Sequence, residues 1–205
     1  RLMTGAYGTL GVILDVTLKV VPLPEVEKTY VGNMPLDKAL TKMLELSAQA
    51  IPVSASCYNG ETLFIRLSGN ESAVKEATQK IGLDEYAEEK MFWDALRDYR
   101  SPIFNSDMNV WRLSVPQTAT LDMGEDPFWV DWGGGLYWLN TRRPAAEIFA
   151  MASDVGGNAM LFRGNDASQD VFQPLDEGVL KIHKGLKKVF DPHGILNPGK
   201  MYSSV

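Results

Sequence analysis

The sequence predicts an α+β fold, one antiparallel sheet with helices on one face, and three observations carry that prediction. Short runs of alternating apolar residues recur, the links between them are hairpin-length, and segments with one apolar helical face interrupt them in a repeating order. With 205 residues the chain has enough length to build a sizeable core, burying roughly 70% of the surface its unfolded form exposes. Hydrophobic residues at 45% and charged residues at 22% exclude the disordered and collagen-like classes.

Gly11 to Val21 is the first patterned segment. Val12, Leu14, Val16, Leu18 and Val20 alternate in a β-branched run closed by Pro22 and Pro24, so a long strand ending at a boundary is expected. Glu27 to Asn33 alternates as the next strand. Pro35 to Ala50 places Leu36, Ala39, Leu40, Met43, Leu44 and Ser47 on one helical face, with Pro35 where a first turn tolerates it. Val53 to Tyr58 and Thr62 to Leu67 flank Asn59-Gly60, whose readiness to take positive φ predicts a tight hairpin. Asn70 to Ile81 follows as a helix.

Asp84 to Tyr99 reads as one charged amphipathic helix ending at Ser101-Pro102. The earlier order then returns in outline. A strand at Asn109 to Val115 leads through an irregular stretch, Gln117 to Met123, to strands at Phe128 to Trp132 and Leu136 to Asn140. A helix at Pro144 to Asp154 and a strand at Asn158 to Phe162 complete it. Two βαββα-like halves predict a duplicated, ferredoxin-like sheet domain. Asp176 to Val189 reads as a last helix and Phe190 to Val205 as an extended, turn-rich tail.

The formal charge of −6 and the scattered Lys and Arg residues leave no basic stripe to neutralise a phosphate backbone, so nucleic acid is not an expected partner. Cys57 is the only cysteine, and His183 and His193 are the only histidines, so neither an internal disulfide nor a clustered zinc site is expected. A reducing, cytoplasmic setting fits that usage. No apolar run reaches the ~20 residues that span a bilayer, so any membrane association is expected through partners. The start at Arg1, already running into a turn and strand, reads as part of something longer.

Two segments at opposite ends of the chain carry chemistry. Gly5-Ala6-Tyr7-Gly8-Thr9-Leu10-Gly11-Val12-Ile13 is a glycine-spaced turn leading into a strand, a backbone that a flat or charged ligand can approach closely. Phe190-Asp191-Pro192-His193-Gly194-Ile195-Leu196-Asn197-Pro198-Gly199-Lys200 fixes its own path with two prolines while Asn197 offers an amide donor and acceptor. A ligand-free strand entry and an ordinary helix stop are the bland alternatives.

Paired in this order, the two segments resemble flavoproteins of the vanillyl-alcohol-oxidase class, in which a G-x-x-G-T-L-G-V-I strand belongs to the FAD-binding domain and an F-D-P-x-G-I-L-N-P-G-K tail returns to it. Trp111-Arg112-Leu113-Ser114-Val115-Pro116, Trp132-Gly133-Gly134-Gly135, Gly156-Gly157-Asn158-Ala159-Met160-Leu161-Phe162-Arg163-Gly164 and Phe172-Gln173-Pro174-Leu175 are similar to the FAD-binding subunits of the glycolate oxidase branch. The resemblance implies that residues 1–24 are the last strand of an FAD-binding domain, 25–175 a cap or substrate domain, and 176–205 a helix and tail returning to the flavin. It implies FAD as cofactor, with Gly5, Gly8, Thr9, Gly11, Ile13 and Asn197 as the candidate contacts. The main pyrophosphate loop would lie before Arg1, so this segment alone is expected to hold little FAD and to be inactive.

The reaction implied is oxidation of a 2-hydroxy acid such as glycolate to the 2-keto acid, within a complex that includes a catalytic flavoprotein subunit and an iron–sulfur subunit. One departure matters. The hydroxy-acid-oxidising relatives carry an H-G-D-G-N-x-H motif that is absent here, which leaves open a non-catalytic role in assembly and electron transfer. His183 and His193 receive no catalytic role. Arg112 and Arg163 stand in apolar or aromatic strand surroundings where an unpaired charge is costly. Each is therefore expected either in a structural ion pair or as a clamp on a substrate carboxylate. The aromatic density at Trp129, Trp132, Tyr137 and Trp138 is expected to serve packing, with a stacking face for a planar ligand as the alternative.

Overall fold

The Asn59-Gly60 turn sets the register from which the sheet is built. Asn59 Oδ1 accepts hydrogen bonds from the backbone N–H groups of Glu61 and Thr62, at 3.1 and 2.8 Å. Gly60 takes a φ of +99°, a conformation that side chains disfavour. The turn joins β2 (Val53–Tyr58) to β3 (Thr62–Gly69), which pair antiparallel with one irregularity between Val53 and Ala55. The structure is a computed structural model and describes residues 1–164 and 171–203.

β3 also pairs antiparallel with β1 (Val26–Asn33) along its whole length. The helices α1 (Leu36–Ser47) and α2 (Glu71–Ile81) each turn a narrow apolar stripe to this half of the sheet: Ala39, Met43 and Leu46 from α1, Val74, Ala77 and Ile81 from α2. Asn70 caps α2 by accepting from Ala73 N at 2.8 Å.

The expected single helix over Asp84 to Tyr99 is two elements. β4 (Asp84–Tyr86) pairs with the edge of β1, and α3 (Glu89–Arg97) follows. Side-chain contacts at the edge favour the strand. Lys28 and Glu85 form a 2.7 Å ion pair, and the Tyr86 ring stands edge-on to Phe64 with centroids 5.4 Å apart.

The second half is β5 (Asn109–Ser114), β6 (Phe128–Asp131), β7 (Leu136–Thr141), α4 (Ala145–Asp154) and β8 (Asn158–Arg163). Across the eight-stranded sheet the order is β4-β1-β3-β2-β6-β7-β5-β8. Read outward from the centre, each half runs third-to-last strand first in the same pattern, fourth-first-third-second from edge to centre, which is the duplication the element order predicted. In the second half an irregular segment replaces the helix that α1 supplies in the first. It still delivers Leu121 and Met123 to the core, 4% and 3% exposed.

Alternation along the strands divides the side chains cleanly. Leu63, Ile65, Trp111, Leu113, Val130, Tyr137 and Leu139 face α1, α2 and α4 in one core. Cys57, Phe64, Val110, Leu136 and Trp138 face the other way, under α3 and the 3-10 turn at Pro102–Phe104. Each large side chain fully buried in this manner contributes about 1.5–3 kcal/mol.

Contacts divide the chain into two units, Pro22–Asp170 and a second made of Arg1–Val21 with Val171–Val205. In the second unit α5 (Glu177–Phe190) is capped by Asp176, which accepts from Val179 N at 2.9 Å. The run expected as a strand, Gly11 to Val21, forms neither strand nor helix, and Val12, Leu14 and Leu18 are 77, 93 and 75% exposed. A strand exists by pairing, and among the described residues nothing pairs with this run.

Candidate functional site

The sheet's two halves meet through a ladder of only two pairs, Cys57 with Asp131 and Tyr58 with Val130. Past that ladder β2 and β6 diverge, and a cavity of about 910 Å³ opens between them. Ser54 and Ser56 line one side and Asp131, Trp132 and Gly133 the other, with Arg66, Trp93, Arg112 and Trp138 over the face of the sheet.

The polar end of this cavity follows from register. Trp129, Trp138 and Arg112 form one cross-strand row, and Asp131, Leu136 and Ser114 form the next row on the same face. Arg112 Nη1 donates to Ser114 Oγ at 2.9 Å, and its guanidinium carbon lies 5.3 Å from the centre of the Trp132 ring. Asp131 is within electrostatic reach of Arg112 without ion-pair contact. Trp132 itself takes a φ of +53°, unusual for a bulky residue, and stays 65% exposed. Its turn is held from three sides: Trp132 N donates to Asp131 Oδ1 at 2.7 Å, Gly133 N to Ser56 Oγ at 2.9 Å, and Gln117 Nε2 to Trp132 O at 3.2 Å.

Burial pushes the Asp131 carboxyl up to about 6, with the Trp132 amide and the Arg112 charge opposing the shift. Burial likewise pushes the Cys57 thiol well above its ordinary range, assisted by Asp131. Sequence reading found Arg112 and the Trp132 to Gly135 motif here and missed Asp131, Ser56 and Gln117. The available signal for Asp131 was a carboxylate at the end of an aromatic strand, separated from three glycines only by Trp132.

Arg163 lies elsewhere. Its Nη1 donates to Phe104 O at 2.8 Å, and its guanidinium sits 6.0 Å from the Phe162 ring centre. Of the four aromatics, Tyr137 is core, Trp138 packs edge-on to Phe104 at 4.9 Å, Trp129 stacks on Phe92 at 6.2 Å, and Trp132 faces the cavity.

In the other unit the glycine-spaced turn and the tail are tied together. Asn197 Nδ2 donates to Tyr7 O at 2.9 Å. Lys187, on the last turns of α5, donates to Thr9 O at 2.9 Å and to Leu196 O at 2.5 Å, and pairs with Asp191 Oδ2 at 2.8 Å. Asp191 in turn accepts from the N–H groups of Ile195 and Leu196, at 3.1 and 2.8 Å. The Lys187 bond and these two amides hold the Asp191 carboxyl down at about 2. Thr9 Oγ1 closes the turn on Ala6 O at 2.7 Å.

The candidate FAD contacts are unevenly exposed at this corner, with Thr9 buried and its backbone N–H and C=O bonded to Ala6 and Lys187. A side chain at Gly8 would meet Asn197 Nδ2 at 2.8 Å, so only glycine lets the tail amide lie on the turn. A side chain at Gly5 would meet nothing within 4 Å, which leaves bare backbone open to an approaching ligand. Asn197 is exposed and, among the described residues, commits only Nδ2. Gly11 packs beside Met3, and Ile13 is 60% exposed. His183 stands 5.9 Å from the Tyr202 ring, and His193 is an exposed part of the tail turn.

Comparison with known proteins matches the tail segment directly. The family FAD linked oxidases, C-terminal domain, matches residues 164–201. Over 206 aligned positions, covering 100% of this chain, the sequence is 35% identical to the glycolate oxidase subunit GlcE of Escherichia coli (strain K12). The chain spans 57% of that protein's length. Alkyldihydroxyacetonephosphate synthase, solved in two crystal forms, shares the fold with TM-scores of 0.52 and 0.51 at 14% and 15% identity. Those matches cover 93% of this chain and 47% of each solved chain, and they bear on fold alone. The tail motif and the identity along the whole chain agree on one likeness: this chain is similar to the FAD linked oxidases, whose C-terminal domain matches its residues 164–201.

Proposed function

We propose that the chain is the cap and tail part of an FAD-dependent oxidoreductase subunit that oxidises a small 2-hydroxy acid, such as glycolate, to the 2-keto acid. The observation that carries this reading is Arg112: a guanidinium in a cavity, bonded to a neutral serine and stacked on a tryptophan, with its charge left for an incoming carboxylate. Arg163, bonded to the Phe104 carbonyl, is the weaker candidate for that role. Leu136 and Trp138 supply apolar wall beside the guanidinium, which lowers the local dielectric and strengthens a charge pair formed there. Gly5, Gly8, Gly11 and Ile13 offer backbone to FAD, Thr9 shapes the turn through its bonds to Ala6 and Lys187, and the Asn197 amide addresses the polar ring edge of the flavin. FAD, when bound, supplies the two-electron acceptor.

The similarity to a glycolate oxidase subunit favours action within a complex, with a catalytic flavoprotein subunit and an iron–sulfur subunit as partners in the cytoplasm or at a membrane. Among the described residues no helix is long and apolar enough to cross a membrane, so attachment would run through those partners. The absent histidine motif favours a second reading, a subunit that binds FAD and its partners without oxidising substrate. Dye reduction by glycolate, measured on the FAD-loaded full-length subunit with and without partners, separates the two. The first reading expects activity that Arg112→Met lowers at least tenfold with FAD content unchanged, the loss of one charge-assisted bond. Unaltered turnover in Arg112→Met rejects the clamp, and activity that never depends on this subunit's cavity supports the assembly role.

A further inference from the structure

We infer that Asp131 makes the Arg112 cavity selective for a carboxylate bearing a hydrogen-bond donor on the adjacent carbon, so that a 2-hydroxy acid is held and its 2-oxo counterpart is released. The inference rests on the reading of Arg112 as the carboxylate holder.

Register places the two groups on one face. Arg112 and Asp131 stand on β5 and β6 with β7 between them, and Asp131 is two residues along from the row that Arg112 occupies. Two strand spacings put their backbones about 9–10 Å apart across the sheet. Both side chains line the same cavity, each senses the other's charge, and they do not form an ion pair. Had they touched, each would have neutralised the other. Held apart, they present a cationic end and an anionic end to a small molecule between them.

Asp131 is fixed by one bond, from Trp132 N to Oδ1, and among the described residues no other donor is bonded to it. An ionised carboxylate accepts only, so it rewards a ligand hydroxyl and repels a ligand carbonyl oxygen. A site built to pair with a hydroxyl rejects the analogue that lacks it far more strongly than an apolar pocket rejects a changed shape. Protonation reverses the preference, because the neutral acid donates. The charged and titratable groups that line the cavity with Asp131 are Arg112 on β5, Arg66 on β3, Asp94 and Arg97 on α3, and Tyr99 just after it; the Cys57 thiol on β2 senses Asp131, and α1 contributes only uncharged groups.

The test is calorimetric titration of the full-length, FAD-loaded subunit with lactate and with pyruvate, two anions that stay ionised and differ in hydroxyl against carbonyl. At about pH 8 the expected preference is roughly tenfold for lactate, narrowing to about threefold or less at about pH 5 as Asp131 takes up its proton. Asp131→Asn is expected to show the narrow ratio at both pH values. Equal binding of the two anions to the unaltered protein at the higher pH, or an undiminished preference in Asp131→Asn, overturns the inference while leaving the clamp in place. Failure of both anions to bind overturns the Arg112 reading itself. The pH dependence of the unaltered protein decides the matter even where the variant does not fold.

Discussion

At the scale of single residues, Lys187 and Asp191 show how one ion pair organises a turn and a tail. Lys187 is 8% exposed and meets carbonyls from both segments, while Asp191 collects two tail amides. The Asp191 carboxyl is held at about 2 against an ordinary 3.8, so the order it confers is fully present above the ordinary value and is lost as pH falls through the lower one. Hydrogen-exchange protection of the Ile195 and Leu196 amides is therefore expected to fall between those limits while the core amide of Leu113 stays protected. Lys187→Met should bring the loss to higher pH. Protection that ignores pH across this window would show that the pair does not hold the tail. Asp131 carries the opposite sign, since burial raises it to about 6, and its contribution to stability fades as pH rises through that value.

At the scale of elements, the hairpin between β2 and β3 is the most strongly specified feature and the seam between β2 and β6 the least. Gly60 has a φ of +99° and sits on the turn that registers five residues of β3 against β2, in a strand that pairs eight with β1. Gly60→Ala is expected to destabilise the protein by about 1–3 kcal/mol, the cost of holding a side chain in such a conformation. Thermal or urea unfolding checks it, and an unchanged midpoint would mean the turn relaxes at no cost. The seam, with two residue pairs, gives up ladder hydrogen bonds to open the cavity. The Trp132 turn takes over part of the job, its Gly133 N–H bonding Ser56 across the gap while Gln117 braces it from its own half.

At the scale of the molecule, the two cores on either face of the sheet are built wholly from residues within Pro22–Asp170. A segment that contains all of its own core is expected to fold alone. Residues 22–170 expressed without the rest should melt in one cooperative transition with the circular dichroism of a mixed helix and sheet protein. A broad, non-cooperative melt would show that this unit depends on the turn and tail for its stability.

Much of this protein is determined by sequence pattern acting locally. Alternation at Glu27 to Asn33, Val53 to Leu67 and Asn109 to Val115 reports which side chains share a face, and period-three-to-four stripes such as Ala39, Met43 and Leu46 report a helix, because both periods follow from backbone geometry alone. The tail motif around Asn197 was legible for the same reason, its prolines restricting the chain wherever it lies. Tertiary structure alone decided the rest. Asp84 to Tyr86 pairs as an edge strand because β1 offers it a partner, and Gly11 to Val21 stays unpaired because no described residue does. The cavity arises where β2 and β6 part, and Arg112 meets Trp132 and Asp131 there only through cross-strand register. Register depends on which strands become neighbours, a choice made by burying two cores at once, and no local window of the sequence contains it.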